Sequence, residues 1–301
     1  MTPLYNNKKM LMLFMLPAIV LVSTLIFLPV ILNVYYSFFK WTAYSKSMKF
    51  VGLQYYIKLF SDEKILHALM NNVLYAVVSL IFQAGFGLVI AYIFISYAKM
   101  EFAALTRVII FIPAVISLTA IGLLWVIAYN PSIGFVNSFL SYIGLDKLAH
   151  DWLGDQNTAM MSIIMVSQWQ YIGEMVMLYT VGVLNVPTEV LESAKIDGAS
   201  HWQIFFKIII PMIKSTILMN TTVTIIGAFM VFDEVYVMTG GGPGNATETL
   251  AVMMYETGFR KDNMGYASAI GVLLFLITFA FSFVQMRLYN VDDFNKRGKK
   301  A

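Results

Sequence analysis

Glu174 is a carboxylate set well inside an apolar run, and its neighbours offer hydrogen-bonding chemistry rather than bond-breaking chemistry. Ser167, Tyr171, Glu174 and Leu178 recur at steps of four, three and four residues, which puts them on one stripe of a helix. Gln170 lies one turn before Glu174, and Gln168 and Trp169 stand beside it. A second stripe, Asn220, Thr224 and Gly227, runs toward Glu234. Solutes rich in hydroxyls need donors and acceptors for those hydroxyls and aromatic faces for their C–H surfaces. Trp169, Gln170, Tyr171, Glu174, Asn220 and Thr224 together supply both. A carboxylate at the centre of a membrane helix costs roughly 2.5–3.5 kcal/mol, so Glu174 is expected to face a wet cavity. Polar residues in such helices also bridge neighbouring helices, and for Asn220 and Thr224 bridging is the preferred reading. Asp233 and Glu234 sit near a helix end, where solvation or a turn cap is an equal use.

A second constellation is electrostatic. Glu189, Glu192, Lys195 and Asp197 are four charges within nine residues, in the substantial hydrophilic interruption Val186–Ser215. The local sequence predicts two short helices with a hinge. Pro187 suits a first helical position, Asp197-Gly198 closes the first helix, and Ser200 with Gln203 forms a capping box that opens the second. Pro211 is expected to end it. Such a protrusion is either a plain interfacial loop or a surface offered to a partner through charge-paired docking.

Other chemistry is excluded. No G-x-x-x-x-G-K-[ST] loop is present, and the glycine run Thr239–Thr247 has no lysine to reach a phosphate, so it reads as a sharp turn. With no cysteine and three scattered histidines (His67, His150, His201), neither a metal site nor a metal cofactor is expected. No cofactor of any kind is implied, and no covalent catalysis.

The elements that must position these residues are membrane helices. The chain is 59% hydrophobic and 12% charged, against about 25% charged in ordinary soluble domains. Runs long enough to cross a ~30 Å hydrocarbon core predict an all-α polytopic membrane protein. Six helices are expected, near Leu11–Tyr36, Leu69–Tyr97, Leu105–Tyr129, Met160–Leu184, Ile217–Met238 and Ala267–Leu288. The first follows Lys8 and Lys9 but is far too long for a signal core, so it is expected to remain as a span. With both termini inside, twelve lysines and arginines fall on the inner side and eight outside, a modest bias of the right sign. The lysine-rich loop Lys40–Lys64 weakens that bias, and the basic tail Lys296–Lys300 suits anionic lipid better than nucleic acid.

From Glu192 onward the chain resembles the cytoplasmic signature of ABC importer permeases: Glu-Ala-Ala, three residues, Gly, nine residues, then Ile-x-Leu-Pro. Here Glu192-Ser193-Ala194 precedes Lys195, Ile196, Asp197 and Gly198, and nine residues, Ala199 to Lys207, lead to Ile208-Ile209-Ile210-Pro211. Ser193 and Ile210 are mild departures. The stretches Phe50–Phe60, Ile112–Trp125, Phe232–Leu250 and Gly265–Leu274 are similar to the carbohydrate-uptake branch, and the likeness covers most of the chain. The glycine-rich segment resembles that of the first permease in two-permease sugar systems.

The resemblance implies a single transmembrane permease domain over 1–301 with six helices in the type I importer fold and coupling helices at about 186–211. It implies docking on a cytoplasmic ATP-binding subunit through Glu189, Glu192, Ser193, Ala194, Asp197, Gly198 and Ala199. It further implies a second homologous permease, an extracellular solute-binding protein, a sugar substrate of di- or oligosaccharide size, and a bacterial cell membrane with both termini cytoplasmic. ATP hydrolysis would reside on the separate subunit, and the chain would be no enzyme. Two alternatives stay open: a permease for another polar solute such as a glycerol-phosphate ester, and a secondary transporter in which Glu174 carries a proton.

Overall fold

The computed structural model describes residues 8–96 and 102–288. The expected end of the second span at Tyr97, Lys99 and the basic tail from Lys296 lie outside the described residues. Among the described residues four helices are long and apolar enough to cross a membrane: Met10–Tyr36 (α1), Glu63–Ser96 (α3), Lys214–Met238 and Met264–Arg287. Between the first two stands a short helix, Gln54–Ser61 (α2). A fifth span exists if Phe102–Val115 (α4) and Leu118–Ala128 (α5) count as one, bent by 98°. After a short outlying helix, Phe135–Tyr142 (α6), comes the fourth expected span, Ala159–Leu184 (α7), of 26 residues. At 1.5 Å per residue α7 reaches about 39 Å, ample for the bilayer. Gln168, Gln170 and Glu174 dilute its apolarity, and most of its surface is buried in protein rather than offered to lipid.

The remaining helices follow in order: Thr188–Ile196 (α8), His201–Ile204 (α9), Lys214–Met230 (α10), Asp233–Met238 (α11), Leu250–Tyr255 (α12) and Met264–Leu288 (α13). The chain divides into two compact units. The first comprises Met1–Glu63 and Met253–Phe275. In it, Ser37 caps α1, donating its hydroxyl to the Val34 carbonyl at 2.6 Å. A small antiparallel hairpin then sets Phe39 opposite Phe50. Asn33 of α1 donates to the Ser268 carbonyl of α13 at 3.3 Å, and Tyr266 donates to Asp62 at 3.1 Å.

The second unit comprises Lys64–Val252 and Leu276–Ala301. Its axis is α7, packed between α3 and α4. Gly173 makes the α4 crossing possible: a Cβ there would stand 2.1 Å from the Ile110 carbonyl oxygen. A core of Leu88, Tyr92, Val176, Tyr179, Phe205 and Ile209 ties α3 and α7 to the hydrophilic interruption.

Candidate functional site

Two spans of the second unit are broken, and the breaks explain the site. The chain leaves α4 after Val115 and re-enters helix at Ser117, whose hydroxyl accepts from the Ala120 amide at 3.4 Å. The span from Lys214 breaks at Val231, where the backbone turns extended (φ −56, ψ 123) before α11 begins. Breaks at membrane depth are tolerated only where protein re-satisfies the freed backbone groups. Side chains do so here. Asn72 of α3 donates to the Ala228 and Phe229 carbonyls at 2.9 and 3.2 Å and accepts from the Leu250 amide at 3.0 Å. Thr249 donates to the Val231 carbonyl at 3.0 Å. Next to Asn72, Asn71 donates to the Ala246 and Glu248 carbonyls, fixing the end of the glycine-rich turn. Gln170 donates to the Ile116 carbonyl at the first break, at 3.5 Å.

The two post-break helices, α5 and α11, pack together, with Gly122 against Val237. Beside them opens a cavity of about 270 Å³. Tyr75, Ser79 and Gln83 of α3 line it, with Ser167, Tyr171, Glu174 and Met175 of α7. Thr224, Gly227 and Ala228 of α10 and the Val231–Glu234 break complete the wall. The Tyr75 and Ser167 hydroxyls are buried at the cavity wall and interact with each other. Glu234, only 5% exposed, interacts with the Tyr171 hydroxyl. Three carboxylates (Glu174, Asp233, Glu234) line the cavity, and among the described residues no lysine or arginine does. The chemistry available is hydrogen bonding from hydroxyl, carboxamide and carboxylate groups. This wall therefore suits a neutral polyhydroxylated solute and disfavours an anion.

The sequence-predicted residues divide cleanly. Tyr171, Glu174 and Thr224 come together in the cavity, and Glu174 is open to it. Trp169, Gln170 and Asn220 do not line it. Trp169 lies partly exposed with its ring 5.7 Å from Trp125. Gln170 is buried on the break carbonyl, and Asn220 is buried with the NH2 of its side chain unpartnered among the described residues, its backbone carbonyl accepting from Thr224 at 2.9 Å. Sequence reasoning gave equal weight to other uses of Glu234 and passed over Tyr75, Ser79 and Gln83. With Asn72 these three recur at steps of three, four and four on one helix, a polar stripe in an apolar run that could have been read.

The hydrophilic interruption folds as two short helices. Helix α8 follows Pro187, which stands just before the first helical residue, Thr188. It ends in a paired closure: Gly198 donates its amide to the Lys195 carbonyl at 3.1 Å and Ala199 to the Ala194 carbonyl at 3.0 Å. Gly198 has φ +77, and a Cβ there would meet nothing within 4 Å. Within the chain its need is conformational, and the space above it is empty. The expected capping box is present, with Ser200 accepting from the Gln203 amide at 3.3 Å and Gln203 from the Ser200 amide at 2.8 Å. Pro211 does not end the second helix. A wider turn at Phe205–Ile209 carries the chain on to Met212, and the bend falls at Ile213 (φ −97, ψ 18). Because the wider turn precedes Pro211, the proline falls in the first turn of a new segment, where a missing amide costs nothing.

Glu189, Glu192, Ser193, Lys195, Asp197 and Gly198 are exposed, while Ala194 and Ala199 face the core. The face is polar outside, small and apolar inside. Tyr92 joins it to the membrane helices: its ring stacks on Phe205 at 4.8 Å and its hydroxyl donates to the His201 carbonyl at 2.8 Å.

A helical membrane protein with broken spans around a polar cavity and a paired-helix protrusion is a transport component, and comparison fixes which kind. The chain belongs to the family of binding-protein-dependent transport system inner membrane components, whose model matches residues 83–290. It is 43% identical to the probable ABC transporter permease protein YurN of Bacillus subtilis (strain 168), over 94% of this chain and 97% of that one. It is 34% identical to the osmoprotective compounds uptake permease protein GgtC of Synechocystis sp. (strain ATCC 27184 / PCC 6803 / Kazusa), over 93% and 99%. The lactose transport system permease protein LacF of Rhizobium radiobacter is 32% identical over 91% of each chain. In fold the chain matches a subunit of the bacterial alginate ABC transporter, solved with an alginate pentasaccharide-bound periplasmic protein. The TM-score is 0.81 at 21% identity, covering 96% of this chain and 98% of that one. The fold is that of type I ABC importer permeases, and the chain is a membrane-embedded transport subunit.

Proposed function

We propose that this chain is a single permease domain forming half of the translocation pathway of an ATP-driven importer for a neutral sugar of di- or oligosaccharide size. The observation that carries the reading is the cavity beside the two breaks, lined by hydroxyls and carboxylates without a cation. Its volume of about 270 Å³ falls just short of the ~300–1,000 Å³ usual for small-molecule sites. One wall without its opposite is what half a pathway supplies, and a second homologous permease completes it. Within that pathway Tyr171, Glu174 and Thr224 contact the solute directly. Trp169, Gln170 and Asn220 support it from behind. LacF, named for lactose, supports the substrate class, and GgtC, named for osmoprotective compounds, keeps other polar solutes within reach.

In the same reading α8 and α9 dock on a cytoplasmic ATP-binding subunit through Glu189, Glu192, Ser193, Asp197 and Gly198, while Ala194 and Ala199, packed against the core, seat the pair on the membrane helices. ATP is hydrolysed there and not on this chain. Both termini are cytoplasmic, and an extracellular solute-binding protein delivers the sugar at the opposite end. The test is the ATPase activity of the reconstituted complex, with each candidate solute on its purified binding protein. Stimulation by a neutral di- or oligosaccharide is expected. Stimulation by a glycerol-phosphate ester alone would overturn the substrate class.

A further inference from the structure

Helix α2 has eight residues and two unlike faces. Its inner face is fastened within the first unit. Leu59 is buried, Tyr55 donates to Asn263 at 3.2 Å, and Lys58 lies 4.4 Å over the Tyr266 ring. The hydroxyls of Tyr56 and Ser37 are 2.6 Å apart. That last contact sets the depth of α2, because Ser37 is the residue that caps the membrane helix α1. A helix pinned to the end of a span lies at the level of the membrane surface.

The outer face is apolar. Leu53, Ile57 and Phe60, at steps of four and three, are 61%, 69% and 87% exposed. On the surface of a water-soluble domain such a stripe would be a liability. The segment also resolves an oddity of charge: Lys40–Lys64 holds five lysines against two acids, Asp62 and Glu63. An apolar stripe with basic flanks is the composition of helices that lie in the bilayer interface, their lysines attracted to anionic headgroups.

We propose that α2 is an interfacial anchor, with Leu53, Ile57 and Phe60 seated at the boundary of headgroups and acyl chains. Phospholipid is the occupant rather than a docking protein, because the stripe offers no donor or acceptor and its depth is fixed by the end of α1. The proposal rests on the chain being a membrane permease, and the test separates the two claims. The chain has no cysteine, so single spin labels can be placed at Leu25 of α1, at Ile57, at Phe60 and at exposed Lys147. The complex is reconstituted in phosphatidylcholine–phosphatidylglycerol vesicles, and label collisions with oxygen and with a water-soluble nickel chelate are compared. Labels at Ile57 and Phe60 are expected to favour oxygen, as at Leu25, while Lys147 favours the chelate. If Leu25 reports lipid and both α2 labels match Lys147, the anchor is overturned and the permease reading stands. Protection of the α2 labels only on adding the binding protein would also overturn it, in favour of protein docking. A chelate-accessible Leu25 would overturn both claims.

Discussion

Tyr92 donates its hydroxyl to the carbonyl of His201 at 2.8 Å, so a residue of the second span holds the first residue of the short helix α9 by its backbone. The stack of Tyr92 on Phe205 reinforces the same joint. A displacement of the paired helices therefore has a direct mechanical route into α3.

Tyr92→Phe keeps the stack and removes the hydrogen bond, at a cost of about 0.5–1.5 kcal/mol. We expect a normally inserted protein whose ATPase stimulation by loaded binding protein is weakened. Full stimulation would show that packing alone carries the joint.

The paired-helix face makes a sharper prediction. Gly198 has open space but φ +77. Gly198→Ala should therefore cost only the backbone strain, about 1 kcal/mol, and leave most transport intact. Gly198→Trp fills the empty space and should abolish coupling while the protein still inserts, as should Glu192→Lys. Wild-type transport in both the Trp and Lys variants would remove this face from docking.

Glu174 tests the pathway. Glu174→Gln keeps a hydrogen-bond acceptor in the cavity and should retain much of the transport, whereas Glu174→Leu should lose it with ATPase activity preserved. Equal transport by wild type and the Leu variant would take Glu174 out of the path. Loss in the Gln variant alone would favour a charge role and proton coupling.

Asn72→Leu leaves the Ala228 and Phe229 carbonyls and the Leu250 amide without their side-chain partner. Each unsatisfied buried group costs about 1–3 kcal/mol, so the thermal midpoint in detergent should fall clearly. Asn72→Asp keeps only the acceptor and should be no better. An unchanged midpoint in both would mean the break is held by other contacts.

Topology can be checked with single cysteines at Lys195 and Lys147. These positions are preferable to Ser200, which forms the capping box, and to Asn245, whose φ is +70. Labelling of Lys195 from the cytoplasm and Lys147 from outside is expected. Labelling of both from one face would end the docking assignment.

What could be read in the sequence was local. The Ser200–Gln203 box and the turn at Gly198 depend on residues within five positions of each other, and both formed as expected. The polar stripe through Tyr171 and Glu174 is likewise a matter of helical spacing. The work of Asn72 was not readable, because its partner Ala228 is 156 residues away and becomes an acceptor only when another span breaks. Gln170 was placed toward the solute for the same reason: its target, the Ile116 carbonyl, is free only because α4 stops there. Pro211 misled because its effect depends on the wider turn before it, which no residue type announces.

The right-angled third segment bears on biosynthesis. Its two rods, 14 and 11 residues long, measure about 21 and 17 Å, and neither alone matches a ~30 Å core. A hydropathy scan sees one comfortable span there, but the ribosome delivers two short ones with an exposed carbonyl between them. Gln170 satisfies that carbonyl, and Gly173 gives α4 its seat, and both belong to α7. The third segment must then wait in the insertion machinery, or at its lateral edge, until the fourth has been synthesised. Chains arrested before Leu184 should leave the third segment extractable by alkali, and chains arrested beyond α9 should not.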